Sequence, residues 1–447
     1  MMKDKHYYKT ALQMAWPSVL ESFFISLAGM IDTMMVGSLG SYAIASVGLT
    51  TQPKLIGLTL FFGITISVST IVARRRGQED KRGANEVFFT AMILALIACV
   101  IITTIALYFA HPIMTLAGSN SETHLASVQY YQIIMGGLIF NVIAMVINAA
   151  QRGSGNTKIA FVTNLTSSII NIIFNYLLIG GKYGFPSLGI QGAALATVIG
   201  SMVAMLMSIR SLFKKQSLIQ IPYIIEHRVK MRFETVKTIF KIGSTMVIEN
   251  LAMRIGFVTT AITAAKLGTH SFAIYNAGMN LLSLGFSFGD GMQVAAVALS
   301  GRALGKGDHE EAINFGHICQ RIGLVMSILL SIFLFVFGHQ IMGLYFDNPT
   351  LITEATKATH FIMIIVLLQI SQLVYGGCLR AGGDVRYTLM SGIISVTIIR
   401  TAATLLLVNF FNLGLNGIWT GILADQLSRF TLLRHRFKLG KWTQIQL

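Results

Sequence analysis

The chain has 447 residues, 54% of them hydrophobic and 12% charged, with only 6 prolines. Charge this sparse cannot cover the surface of a soluble domain of this length, so the composition excludes an ordinary globular protein and points to a polytopic membrane protein. The formal net charge of +16 would suit nucleic acid, but the placement of the basic residues assigns it to membrane topology, and no nucleic-acid partner is implied.

Crossing the hydrocarbon core takes ~20 apolar residues per helix. Twelve such stretches follow one another, at 11–36, 53–73, 88–110, 126–150, 158–180, 189–209, 239–265, 272–300, 316–338, 358–379, 387–410 and 414–433. The first is too long for a cleavable signal peptide and lacks a small-residue cleavage site after Asp32, so it reads as a span. It contains Pro17, which removes a backbone hydrogen bond and predicts a bend. It also carries two acids, Glu21 and Asp32. A charge at mid-membrane costs about 2.5–3.5 kcal/mol on insertion scales, so each acid needs a partner, water or a proton. No basic residue can be assigned at the depth of Asp32. An unpartnered carboxyl in a low-dielectric site favours its neutral form, and such a group can exchange a proton for another cation or for a cationic substrate. The alternative is a permanently neutral Asp hydrogen-bonded within its bundle.

In the fifth span, "NIIFNYLL" sets Asn171 and Asn175 four apart, on one face of a helix. With an Asp they could form a pocket that ligates Na⁺ through oxygens or stabilises a protonated carboxyl. They could equally serve as glue between helices. Glu249 and Arg254 lie in the seventh span, Asp290 in the eighth, Arg400 in the eleventh and Asp425 in the twelfth. Arg400 and Asp425 fall at similar depths and read as a structural ion pair. Arg429, four residues after Asp425, is another partner for it, and Arg254 could serve Asp290 or Glu249.

With the N-terminus in the cytoplasm, the inner segments hold 26 Lys and Arg. The outer loops hold 4: Lys54, Lys182, Lys266 and Lys357. This is the positive-inside bias, which puts both termini in the cytoplasm of a multi-pass protein of the inner or plasma membrane. The basic face can also hold anionic lipid. The three cysteines, Cys99, Cys319 and Cys378, read as small packing residues, with no disulfide framework and no metal site.

A shift of about 228 residues brings the halves of the chain into register. "SLGSYAIASVGL" (38–49) faces "KLGTHSFAIYNAGM" (266–279), and "QRGSGNTK" (151–158) faces "LRAGGDVR" (379–386). "LGIQGAALATVIGS" (188–201) faces "LGLNGIWTGILADQ" (413–426) at an offset of 225. Six spans per half is an even number, so the halves share one orientation and their axis lies along the membrane normal. The fold expected is all-α: residues 1–215 and 237–447 as two six-helix bundles about a pseudo-twofold, joined by a basic cytoplasmic linker at 216–236. Glu21 recurs as Glu249, while Thr260 stands where Asp32 would recur.

The "P…IDTMMVGSLG…AIASVGL" pattern of 17–49, the turn at Arg152–Thr157, its second-half counterpart Arg380–Asp384 and "GRALGKGD" at 301–308 together resemble the multidrug and toxic compound extrusion (MATE) transporters, over essentially the whole chain. The resemblance implies antiport: export of amphipathic, often cationic drugs against inward H⁺ or Na⁺, by alternating access, with no other cofactor. It implies that Asp32 is the ion-coupling carboxylate, accompanied by Asn171 and Asn175. It matches Glu249 to the seventh-span acid of the sodium-coupled bacterial branch. That branch also has a tenth-span acid, where this chain has Gln369. Polar groups expected in a cleft or in the second bundle are Glu21, Asp290, Arg254 and Gln369. The chain is read as a monomer whose partners are small amphipathic drugs, the coupling ion and the bilayer.

The nearest rival is a flippase or exporter of lipid-linked or other endogenous amphipathic substrates. It would be expected to line its cleft with several basic residues for phosphate, and only Arg254 and Arg400 offer themselves. An intramembrane enzyme would need a catalytic cluster at one depth. The ten histidines lie in loops, termini or span ends, none in a metal-spaced motif on a helix face, so no enzyme is expected.

Overall fold

In a bilayer every backbone N–H and C=O must be paired within the protein, and this chain meets that demand with helices alone. The computed structural model describes residues 2–214, 217–346 and 348–445, and no strand occurs among them. The elements are α1 (Met2–Gly37), α2 (Ser41–Gly77), α3 (Lys81–Tyr108), α4 (Ala110–Leu116), α5 (His124–Gly136), α6 (Leu138–Gly153), α7 (Thr157–Ile179) and α8 (Gly189–Ser211). There follow α9 (Ile221–Glu226), α10 (Phe233–Lys266), α11 (Thr269–Gly305), α12 (His309–Met342) and α13 (Pro349–Ala381). The chain ends in α14 (Val385–Phe410) and α15 (Gly414–Lys438). Ten of these are long and apolar enough to span a membrane. An eleventh span is broken: α5 and α6 meet at Gly137 with a 46° bend. The twelfth expected span is α15, whose charged residues Asp425 and Arg429 are buried.

The second expected span requires a correction. Residues 53–73 lie inside α2, which begins at Ser41, so Lys54 is a helical residue and not part of an outer loop. Pro53 gave the false start. It sits within the helix, as Pro17 does in α1.

Backbone geometry repeats with the sequence. Gly40 and Gly268, matched by the repeat, begin α2 and α11 with φ of +112° and +109°, a conformation open to glycine and strained for other residues. Asp80 and Asp308, matched in the same register, cap α3 and α12: each carboxylate accepts from the backbone N–H three residues on, Gly83 or Glu311, at 2.8 Å.

The chain divides into two compact units, one made of residues 1–19 and 245–447, the other of 20–244. The divisions fall inside α1 and α10, whereas the sequence suggests the basic segment 216–236, whose first residue, 216, lies outside the described residues. The physical reason is a close helix crossing in each unit. In the first, Ala11, Ala15 and Val19 pack with Met292, Ala295, Ala296 and Leu299 of α11, and a Cβ on Gly291 would lie 2.5 Å from the Val19 backbone. In the second, Ser67 of α2 donates to the Ile239 carbonyl of α10 at 3.2 Å, and a Cβ on Gly63 would lie 2.7 Å from the Gly243 oxygen. Gly63 and Gly291 are counterparts in the repeat, so one crossing is the copy of the other.

In the unit holding 245–447, α13 is the central rod, packed by α11, α12 and α15. In the unit holding 20–244, α6 packs on α2, α3 and α8, with α7 against α8.

Candidate functional site

In the unit of residues 20–244, Asp32 on α1 meets α7. Asn175 donates from Nδ2 to Asp32 Oδ1, and Asn171 Oδ1 lies 3.5 Å from the same nitrogen. Asn171 in turn donates to Thr197 Oγ1 of α8 at 3.2 Å. Both asparagines are buried and Asp32 is half-buried. The four-residue spacing on α7 is what stacks the two amides over the carboxylate. Asn175 Oδ1 is buried without a hydrogen-bond partner, so the site presents a carboxylate oxygen and a spare amide oxygen together. Such oxygens can receive a proton or a hard cation. Two groups that the sequence reading missed lie within electrostatic reach of Asp32: the Lys54 charge of α2 acts on the carboxylate, and the carboxylate acts on the Tyr130 hydroxyl of α5.

Glu21 sits on the same helix, eleven residues and about 16 Å from Asp32. It is bound separately, by Arg152 Nη1 at 2.9 Å and Asn164 Nδ2 at 2.5 Å.

The unit of residues 245–447 repeats this second arrangement and not the first. Glu249 lies 3.1 Å from Arg380 Nη2 and 2.5 Å from Arg429 Nη2 and is fully buried. Arg152 and Arg380 are counterparts in the repeat, as are Glu21 and Glu249, so one ion pair has been copied. Asn164 becomes Gly392, whose place against the carboxylate is tight: a Cβ there would lie 3.1 Å from Glu249 Cγ. Arg429 supplies the second donor instead. The signal for these partners was in the sequence, in the aligned turns at 151–158 and 379–386. Arg429 pairs with Glu249, while Asp425 is met by Arg400 at 2.6 Å; the Arg400 guanidinium also lies over the Phe257 ring at 4.5 Å.

Gln369 on α13 is fully buried, its amide lies where a Cβ on Gly285 would come within 2.4 Å, and neither amide atom has a hydrogen-bond partner. Asp290 of α11 is exposed and feels the charge of Arg380, and Arg254 of α10 is half-buried. The structure thus gathers Asp32, Asn171 and Asn175 in one site, puts Glu21 in a separate ion pair of the same unit, and places Glu249, Arg254, Asp290 and Gln369 in the other unit.

A family model, MatE, matches this chain twice, over residues 17–177 and 246–406. The chain belongs to the MatE family. The two matches begin in nearly the register in which Glu21 and Arg152 recur. A curated relative, "Probable multidrug resistance protein NorM" of Thermotoga maritima, is 25% identical over 434 residues, covering 97% of this chain and 93% of that one. The protein of the same name from Oceanobacillus iheyensis is 26% identical over 430 residues, 95% and 94% of the two chains. Solved structures share the fold at 23% identity, with a TM-score of 0.90 over 97% of both chains. They include a MATE in complex with MaL6 and the outward-facing conformation of a multidrug resistance MATE family transporter. This MatE protein is therefore a multi-pass membrane protein of the multidrug-efflux transporter family.

Proposed function

We propose that this MatE protein is a cation-coupled antiporter that exports amphipathic, mostly cationic compounds by alternating access, with H⁺ or Na⁺ binding at Asp32 as the driving step. The observation that carries this reading is the Asp32 site itself: a half-buried carboxylate held by Asn175, beside an amide oxygen with no partner. An ion and a cationic drug that compete for one carboxylate weaken each other's binding by linkage, which is the thermodynamic requirement of exchange. Lys54 provides the countercharge when neither is bound. Glu249, already flanked by two guanidinium groups, we assign to holding its unit together and not to ion coupling. The protein would sit in the plasma membrane with both termini in the cytoplasm, as the positive-inside bias favours.

The test uses purified protein in liposomes loaded with ethidium, with a pH gradient and a Na⁺ gradient imposed separately. Dye movement driven by one gradient and lost in Asp32→Asn is the expected result, and it names the ion. A folded Asp32→Asn protein that still couples would remove Asp32 from the site. A folded wild type that moves no dye under either gradient would redirect the search to lipid-linked cargo.

A further inference from the structure

α3 is 28 residues long, and at the end away from its Asp80 cap the chain folds back through α4 and a short loop into α5. Two histidines meet there. His111 is the second residue of α4 and His124 the first of α5. Nδ1 of His111 lies 3.1 Å from Nε2 of His124, with ring centroids 5.2 Å apart and planes inclined by 40°. His124 Nδ1 is 2.7 Å from Ser119 Oγ.

The serine fixes the imidazole. With Nδ1–H donating to Ser119 Oγ, His124 turns the lone pair of Nε2 toward His111, which donates its own Nδ1–H. A partner behind the ring is what metal-ligating histidines carry, because it sets the tautomer and the ring plane. The spacing points the same way. Two nitrogens at 2.0–2.1 Å from a tetrahedral metal lie about 3.3–3.4 Å apart, so a small rotation of one ring admits an ion. In this tautomer, entry moves the His111 proton from Nδ1 to Nε2, with no net proton release.

The loop holds this geometry. Asn120 Oδ1 accepts from the backbone N–H of Glu122 and of Thr123 and from Thr123 Oγ1, at 3.1, 3.0 and 2.9 Å. His111 is exposed and His124 partly so, which leaves the remaining coordination positions open to water. The internal repeat supplies a contrast. His111 recurs in the second half as His339, but Ile352 stands where His124 would recur, and His339 Nδ1 instead lies 3.3 Å from Thr356 Oγ1.

We propose that His111 and His124, backed by Ser119, form a two-histidine site for a borderline divalent transition metal such as Zn²⁺, Ni²⁺ or Cu²⁺. Imidazole nitrogen suits these ions. Among the described residues no group of three or more His, Cys, Asp or Glu could hold a metal, so the site is of the open kind, completed by water, and not a closed structural centre. Bound metal would tie the start of α4 to α5, the helix that carries Tyr130 beside Asp32.

The experiment is calorimetric titration of Zn²⁺ into the purified, tag-free, full-length protein at neutral pH. Wild type is expected to show one saturable site, and His111→Ala and His124→Ala each to lose it. Ser119→Ala should weaken binding about 10–100-fold, and His339→Ala should leave it unchanged. His111→Gln keeps a hydrogen-bonding group opposite His124 while removing the ligand, so a monodisperse His111→Gln protein without the site separates ligation from misfolding. The proposal is overturned if wild type shows no saturable site, if His111→Gln binds as wild type does, or if His339→Ala removes the site.

Discussion

The charges inside this protein divide by what surrounds them. Glu249 is enclosed by Arg380 and Arg429 and has no exposed surface, whereas Arg152, the partner of Glu21, keeps about a fifth of its side chain exposed. Breaking a buried ion pair costs about 3–5 kcal/mol because the remaining charge is stranded. Glu249→Gln strands two guanidiniums in contact with one carboxamide, while Glu21→Gln strands one that water reaches. Thermal unfolding of the purified variants should therefore show the larger loss for Glu249→Gln, and an equal or reversed order would contradict the copied-pair account. At the Asp32 site, Lys54→Gln removes a positive charge that opposes any arriving cation. The ion concentration giving half-maximal transport should fall roughly tenfold, about 1.4 kcal/mol, while Asp32→Asn abolishes the dependence. An unchanged half-maximal concentration in Lys54→Gln would place that lysine outside the site. Much of this scale was legible in the sequence. The acids announce themselves by their cost in hydrocarbon, Asn171 and Asn175 by their spacing, and Arg400 with Asp425 by depth. Lys54 was hidden because Pro53 imitates the start of a span; the repeat marks Arg152 and Arg380 as a matched pair, but a basic residue in the last turn of α6 does not by itself say that it reaches back to Glu21 of α1.

At the scale of elements, the informative feature is how α1 and α10 are shared. Each begins in one compact unit and ends in the other, and each is crossed at a glycine, Gly291 or Gly63, that lets backbone approach backbone. Hydropathy reveals that such helices span, but it cannot reveal which neighbour the first turns will pack on, because Ala11, Ala15 and Val19 would suit any apolar groove. Pro17 stands just before the changeover in α1, where its missing N–H removes one rung of the helix ladder. Thr245 occupies the matching place in α10, so of these two shared helices only α1, which carries Asp32, has the weakened rung. A side chain at either crossing glycine has to displace backbone. Gly291→Val and Gly63→Val should each destabilise the protein by about 1–3 kcal/mol, read as a lower midpoint of thermal unfolding. A midpoint equal to wild type in both variants would show that the crossings are looser than the structure has them.

For the molecule as a whole, duplication supplied the scaffold and divergence left one candidate coupling site. The caps Asp80 and Asp308, the crossings Gly63 and Gly291, and the pairs Glu21–Arg152 and Glu249–Arg380 are all repeated between the halves at one offset. The Asp32 site is not. At the positions matching Asp32, Lys54 and Asn175 the second half has Thr260, Leu282 and Ala403. Thr260 is fully buried, with its hydroxyl 3.1 Å from Tyr275 Oη, an arrangement that offers no charge to an ion. A symmetric transporter with two equivalent carboxylates would bind two ions and show a sigmoidal dependence on ion concentration. With Asp32 as the single coupling carboxylate, initial rates of ethidium export should rise hyperbolically with the coupling ion, with a Hill coefficient near one. The same curve should keep its shape in any stable variant of Glu249, changing in amplitude at most. A coefficient approaching two, reduced toward one by Glu249→Gln, would mean that the second unit also binds an ion and that its arginines release Glu249 during the cycle.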